Sequence, residues 1–318
     1  MYKFILRKAL QMLLMLLGIS FLIYTALNNT GVDPIFYLVD MNQGFDPEEL
    51  EKLREFYGLN RPFIVRYWDW LCRAVQGDFG KSLVAGVEVN HIVSVKLPAT
   101  LEVTMIALCV SAVLGVILGM ICAVWQNGIL DYICRFIAVV GNSVPAYFVG
   151  LVLLQVFAIK LGWFPSYGRS SPGDVTFFDR IEYIILPVAC LVIGMCGAVM
   201  RYTRNNMLDT ANKDFIKTAR SKGVSEWKVY TKHVFRNSMR PVMMLVVMRL
   251  GALMSYSVAV DMVFSWPGIG PEFTNSIIKS DYNVVMALTL MVALVVLVCS
   301  LLIDIFTALL DPRVRLDK

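Results

Sequence analysis

Asp214-Phe-Ile-Lys-Thr-Ala-Arg-Ser-Lys-Gly223 is followed directly by Val224-Ser-Glu-Trp-Lys-Val-Tyr-Thr-Lys-His-Val-Phe-Arg-Asn-Ser-Met-Arg-Pro241. Together they form a long basic segment between two strongly apolar ones. A chain that crosses a bilayer does not need so long a basic loop merely to turn round. In the first half, Asp214 is placed to cap a short helix and Gly223 to end it. The helix between them is two turns, roughly 12 Å. Phe215, Ile216 and Ala219 share one side, while Lys217, Arg220 and Lys222 point elsewhere. A second helix is expected from Ser225, with Trp227, Tyr230 and Val234 on one face. Lys228, Lys232, Arg236 and Arg240 recur every four residues on another. Such a stripe suits either anionic lipid or a protein partner.

Working outward, the flanks read as membrane spans. Of the 318 residues, 58% are hydrophobic and 17% charged, against an apolar share nearer one half in soluble domains. A span needs roughly 20 apolar residues. Six such runs are expected, at about 9–27, 99–125, 133–160, 182–203, 242–264 and 284–310. Six spans around one interior make an all-α integral membrane protein. The expected organisation is residues 1–27 as a basic start and first span, 28–97 as an external helical segment, and 98–318 as a five-span core. The core includes the loop 204–241. The first run resembles a signal peptide in its basic start (Lys3, Arg7, Lys8), but it is long and lacks a clear cleavage site, so it is expected to remain as a span.

Lys and Arg set the orientation. With the N-terminus inside, the inner segments hold seventeen of them, ten between Arg201 and Arg240, and the outer segments eleven. Seven of those eleven lie in one loop that also carries ten acids. Both termini are therefore expected on the inner side. The net charge of +5 is a topology signal, and no motif that reads nucleic acid accompanies it.

Within 28–97, Asp46-Pro47-Glu48-Glu49 reads as a helix start and Gly58 as its end. Pro62 begins an aromatic helix (Phe63, Tyr67, Trp68, Trp70) that stops near Gly77. A third helix is expected from Val87 to Leu97, ending at Pro98. The aromatic helix reads equally as a landing surface for a partner and as a lid packed on the spans. Of seven cysteines, six fall in or beside spans. Cys72 alone lies outside, with no C-x-x-C and no metal spacing, so packing is the expected role.

Other short stretches recur in one known context: Tyr57-Gly-Leu-Asn-Arg-Pro62, Gly77-Asp-Phe-Gly-Lys-Ser82, Leu97-Pro-Ala-Thr-Leu-Glu102, Leu161-Gly-Trp-Phe-Pro165, Val263-Phe-Ser-Trp-Pro-Gly-Ile-Gly270, Asp281-Tyr282 and Leu310-Asp-Pro-Arg-Val-Arg-Leu316. With the 214–241 loop, they make the chain resemble ABC importer permeases of the dipeptide/oligopeptide/nickel family, in particular the first of the two permeases of such systems. The general permease loop has a glutamate where this chain has Lys217, a departure shared with the peptide/nickel branch. The resemblance implies a type I importer permease fold. It makes Asp214 to Gly223 (Asp214, Phe215, Ile216, Lys217, Thr218, Ala219, Arg220, Ser221, Lys222, Gly223) the helix that docks on an ATPase, supported by Trp227, His233, Arg236 and Asn237. It implies a second, homologous permease as heterodimer partner, two ATP-binding subunits and an external substrate-binding protein. ATP and Mg would be used by the ATPases, with no cofactor on this chain and no catalysis by it. ATP-driven closure would pull the docking helices together and open the spans outward. Peptides are the first expectation for cargo, and nickel or a metal chelate the second.

Two intramembrane charges suggest a pathway. Arg249 lies about two turns into the fifth span, at a cost on the order of 2.5–3.5 kcal/mol. Asp261 lies near the outer end of that span, about 18 Å further along the helix. With Trp266, Pro267 and Gly268 of the outer turn, these are the expected pathway or gate residues. Glu102 and Asp304 read as interfacial or helix-pairing groups. Gly80-Lys81-Ser82 imitates the end of a phosphate loop, but Val75 stands where the first glycine belongs and no strand precedes it. A membrane enzyme would need paired catalytic groups at one depth, and His91 and His233 fall on opposite sides. A gradient-driven carrier would show repeated halves with broken helices. Pro145 and Pro187 are placed to break spans, but no repeat is visible.

The topology has a direct test. A thiol reagent that cannot cross membranes is expected to label Cys72 in intact cells, and a cysteine placed at Ser225 only in inverted vesicles. The reverse pattern contradicts the orientation.

Overall fold

The computed structural model describes residues 2–31, 35, 47–170, 176 and 180–310. Asp46 and the 311–316 stretch lie outside the described residues. Helices dominate: α1 Tyr2–Asn28, α2 Pro47–Phe56, α3 Phe63–Val75, α4 Val89–Val124, α5 Ile129–Ser143 and α6 Ala146–Leu153 in the first half. Then come α7 Ile181–Ala211, α8 Asp214–Ser221, α9 Glu226–Lys228, α10 Phe235–Val263, α11 Ile269–Ile278 and α12 Tyr282–Leu310. Two π-helical stretches, Leu154–Lys160 and Val229–Val234, continue α6 and join α9 to α10.

Among the described residues, five helices are long and apolar enough to cross a membrane: Leu6–Asn28, Val89–Val124, Ile181–Ala211, Glu226–Val263 and Tyr282–Ile305. The expected third span is different. It is a bent pair, Ile129–Ser143 and Ala146–Lys160, turned by 104° at the break. Pro145 is the residue before α6. It has no N–H to extend α5 and its ring excludes the helical turn behind it. Pro187, the other expected breaker, lies inside an unbroken α7. Pro98 likewise sits inside α4, so the expected helix ending at Pro98 is the first part of the second span. A long apolar helix can absorb one lost hydrogen bond. The fifth span starts earlier than expected, because α9 and the π-helical stretch run straight into α10.

The chain divides into two compact units, 1–99 with 267–298 and 100–266 with 299–317. In the first, the aromatic helix α3 packs on α1 and the start of α12 through Tyr24, Leu27, Tyr67, Trp70, Val285 and Met286. Tyr67 and Ser20 hydroxyls meet at 2.9 Å. Trp68 remains exposed. Asp281, buried just before α12, accepts from the Ser82 hydroxyl at 2.5 Å and from the Leu83 and Val84 amides at 3.2 and 3.3 Å. Ser82 is thus part of a structural knot, which accounts for the phosphate-loop lookalike. Asp281 ties the 82–84 turn to the last span.

In the second unit, α7 is the central post, and small residues let it sit close to its neighbours. A Cβ on Gly119 would lie 2.6 Å from the Met200 carbonyl oxygen and from Thr203 Cβ. One on Gly197 would lie 2.8 Å from Ala138 Cα on α5. Backbones at that spacing gain dispersion contact where lipid gives no hydrophobic drive. Gly119→Ala and Gly197→Ala are therefore each expected to cost about 1–3 kcal/mol by overpacking. Gly18→Ala, where a methyl meets nothing within 4 Å, should stay within about 0.5 kcal/mol. Thermal unfolding of the detergent-solubilised protein compares the three.

Candidate functional site

The basic loop folds as a two-turn helix clamped from behind. α8 starts at Asp214, with Lys213 in the cap position and no side-chain cap bond. Asp214 is therefore the first helical residue and not the cap. Its carboxylate takes Lys217 Nζ at 2.9 Å and also suits the positive end of the helix. At the other end Gly223 has φ +77°. Its N–H donates to the Arg220 carbonyl at 2.9 Å, and the Val224 N–H reaches the Ala219 carbonyl at 3.3 Å. That pair of bonds is the Schellman ending that favours glycine.

The faces of α8 differ from the expectation. Ile216 is fully buried, in a cluster with Ala123, Met207, Ala211, Val229 and Val234. Phe215, expected beside it, is exposed. Neighbours in sequence stand about 100° apart on a helix, so the two residues serve different sides. The result is a helix whose inner side is plugged into its own chain and whose outer side offers Phe215, Thr218 and Lys222. Arg220 bridges the Gly223 turn to Glu226, with Nε to Oε1 at 2.7 Å and Nη2 to Oε2 at 3.1 Å. Those bonds raise the Arg220 pKa further above its ordinary value, so its charge is fixed.

The second half of the loop is rephased. Val229 and Val234 are both buried although five residues apart, a spacing that the π-helical stretch brings to one side. Trp227, expected on that face, is 71% exposed. His233 is half-buried, its carbonyl accepting from Asn237 Nδ2 at 2.7 Å. Arg236 and Asn237 are exposed.

One interaction was not anticipated. Asp131, fully buried, receives Arg204 Nε and Nη2 at 2.7 Å each, Arg135 Nε at 3.3 Å and the Asn127 amide at 3.0 Å. It joins the start of α5 to α7, one turn before Met207 in the cluster that holds Ile216. The one local signal was Arg135 four residues after Asp131. Nothing in the sequence points to a partner 73 residues away.

At the bend of the third span lies a cavity of about 230 Å³, lined from α5, α6, α7 and α10 by residues that include Asn142, Ser143, Pro145, Met195, Arg249 and Tyr256. Of the expected pathway residues, only Arg249 lines it. Asp261 is fully buried against α4 and accepts from the Thr100 hydroxyl at 3.0 Å. Trp266 is fully buried, with the Arg169 guanidinium 5.7 Å from its ring centroid. Arg169 also donates Nε to Glu102 at 3.0 Å, and Arg180 lies 3.5 Å from the same carboxylate. Pro267 and Gly268 belong to the other unit, where Gly268 immediately precedes α11. Asp261 and Trp266 are joined directly, the Trp266 N–H donating to the Asp261 carbonyl at 2.8 Å, and neither lines the cavity that Arg249 lines.

Among the described residues, five helices and one bent pair are long and apolar enough to cross a membrane, and the short helix α8 is held at the loop between two of them. Residues 115–316 match the family described as "Binding-protein-dependent transport system inner membrane component", and residues 1–104 match its N-terminal counterpart. Among relatives, the oligopeptide transport system permease protein AppB of Bacillus subtilis (strain 168) is 35% identical, across 99% of this chain and 100% of that one. A putative peptide permease protein of Brucella suis biovar 1 is 37% identical, across 99% of both. The glutathione transport system permease protein GsiC of Escherichia coli (strain K12) is 32% identical over 99% of both. The fold is shared with the crystal structure of an amino acid ABC transporter at a TM-score of 0.54 and 13% identity, covering 68% of this chain and 92% of that one. It is shared also with the inward-facing MetNI methionine ABC transporter at 0.51 and 16%, covering 65% and 92%. The chain belongs to the family of binding-protein-dependent transport system inner membrane components. It is a multi-pass, non-catalytic permease subunit of an ABC importer.

Gly223 gives a sharp test of the clamp. A Cβ there meets nothing within 4 Å, so any defect is conformational and not steric. Gly223→Val should cost about 1–2 kcal/mol locally and lower ATP-driven uptake more than ATP hydrolysis. Gly223→Asn, which tolerates left-handed backbone, should remain close to the parent. The ratio of uptake to hydrolysis in reconstituted complex is the readout.

Proposed function

We propose that this chain forms half of the translocation pathway of an ATP-driven peptide importer. α8 docks on an ATP-binding subunit, a second and similar permease completes the pore, and an external binding protein delivers the cargo. Both termini face the cytoplasm of a prokaryotic cell, so that the 214–241 loop meets the ATPases. Peptide cargo is supported by the relatives named as oligopeptide and peptide permeases, which align over nearly the whole chain. The single observation that carries the docking assignment is the two-sided α8. Ile216 anchors it to the ends of α4 and α7, while Phe215 stands 45% exposed among polar neighbours. An aromatic side chain kept in water beside a rigid anchor is a ready contact for a groove on a partner.

Mechanistically, nucleotide-driven closure of the ATPases displaces α8. The cluster around Ile216 and the Asp131–Arg204 pair carry that displacement into α7 and α5, and so to the bend that lines the Arg249 cavity. Two global states biased from a remote site describe the cycle. The test is uptake by proteoliposomes containing both permeases and both ATPases, with the binding protein supplied. Labelled oligopeptide should accumulate only with ATP and with the binding protein. Accumulation driven by an ion gradient without ATP contradicts the proposal.

A further inference from the structure

We infer that the cavity at the bend of the third span recognises a carboxylate of the cargo through Arg249. This inference rests on the proposed peptide-import function. Arg249 makes no hydrogen bond or ion pair with any described residue, and it is the one formally charged residue among those lining the cavity. Its guanidinium cannot discard its proton, so within a membrane helix it requires water, an anion or a partner. The rest of the lining is neutral: apolar surface from Val149, Leu191, Met195 and Leu253, with Asn142, Ser143 and Tyr256 as polar neighbours.

The chemistry this set would accept is narrow. A guanidinium binds a carboxylate through two parallel N–H···O bonds, the strongest and most directional pairing open to it. At about 230 Å³, the cavity equals roughly eight waters at ~30 Å³ each. It holds a carboxylate with the residue that bears it, and the remainder of a peptide must lie outside. Pro145 also withdraws the N–H that would have bonded the Gly141 carbonyl, and Gly141 lines the same cavity. The site thus combines a fixed positive charge with one backbone acceptor, which matches the carboxylate and the amide N–H of a peptide's C-terminal residue. A bare divalent cation would meet a like charge and no carboxylate among the described lining residues, so nickel as a free ion does not fit. A single pairing in an otherwise neutral wall also lets go again, as a pathway site must.

The experiment uses the complete importer with its binding protein. Initial uptake rates are measured for one transported peptide and for the same peptide with a C-terminal amide. The binding protein's affinity for each form is measured separately and divided out. The parent complex should move the free acid faster than the amide. Arg249→Gln should lower the free-acid rate roughly tenfold or more and leave the amide rate within about twofold. Arg249→Lys should keep part of the preference. Equal losses for both forms would assign Arg249 to a structural pair, for instance with the second permease, and overturn the inference. No loss for either form overturns it as well. Should Arg249→Gln assemble poorly, the acid-to-amide ratio in Arg249→Lys decides, because a retained charge with a poorer fork must reduce that ratio. If the parent complex imports neither peptide form, the peptide reading itself fails, and with it this site. If it imports both with no dependence of the ratio on Arg249, only the carboxylate site fails.

Discussion

A carboxylate sealed from water has to be matched where it stands, and Asp131 is matched by Arg204, Arg135 and the Asn127 amide. Removing one partner from such a group typically costs about 3–5 kcal/mol, because the other charge is left buried and bare. The pair fixes where α5 starts against α7. From that start α5 runs to the Pro145 bend, and from Arg204 α7 runs to Met207, Ala211 and the cluster that grips Ile216. The proposed docking helix α8, the central post and the wall of the Arg249 cavity are therefore placed by one contact together with the close glycine packing of α7. A rigid connection of that kind is what a remote ATPase needs if its motion is to reach the cavity undiminished.

The first unit is organised around a second buried acid by similar logic. Asp281 collects a hydroxyl and two amides from the 82–84 turn, which holds that turn against the start of α12. The aromatic helix α3 then resolves into two jobs. Tyr67 and Trp70 pack inward against α1 and α12, whereas Trp68 stays exposed. The expectation of a lid packed on the spans describes the first pair, and Trp68 is left for a membrane interface or a partner.

Much of this was readable in advance, for physical reasons. Long apolar runs declare membrane helices because the bilayer leaves few alternatives. Gly223 declared a helix end because left-handed backbone is costly for other residues. What failed depended on context. Pro145 breaks a span while Pro98, Pro187 and Pro241 sit inside helices, and a lone proline carries no mark of which it will do. Trp227 was misplaced because a π-helical stretch shifts the phase by a residue, and periodicity assumes none. Asp131 was invisible because its partner is contributed by a different span. The grouping of Arg249 with Asp261 and Trp266 rested on shared membrane residence, and burial separates them: Arg249 faces a cavity, Asp261 and Trp266 face protein.

Site-directed cross-linking at Phe215 tests most directly whether α8 is the point of contact with the ATPase. Phe215→Cys in an otherwise cysteine-free chain, combined with single cysteines along the ATPase groove, is treated with a short bifunctional thiol reagent. Docking predicts a permease–ATPase adduct in high yield, with the preferred groove position changing when ATP is added. It also predicts no adduct from a cysteine at Ile216, which is fully buried. A complex that imports peptide yet gives no adduct from Phe215 at any groove position would contradict the docking assignment.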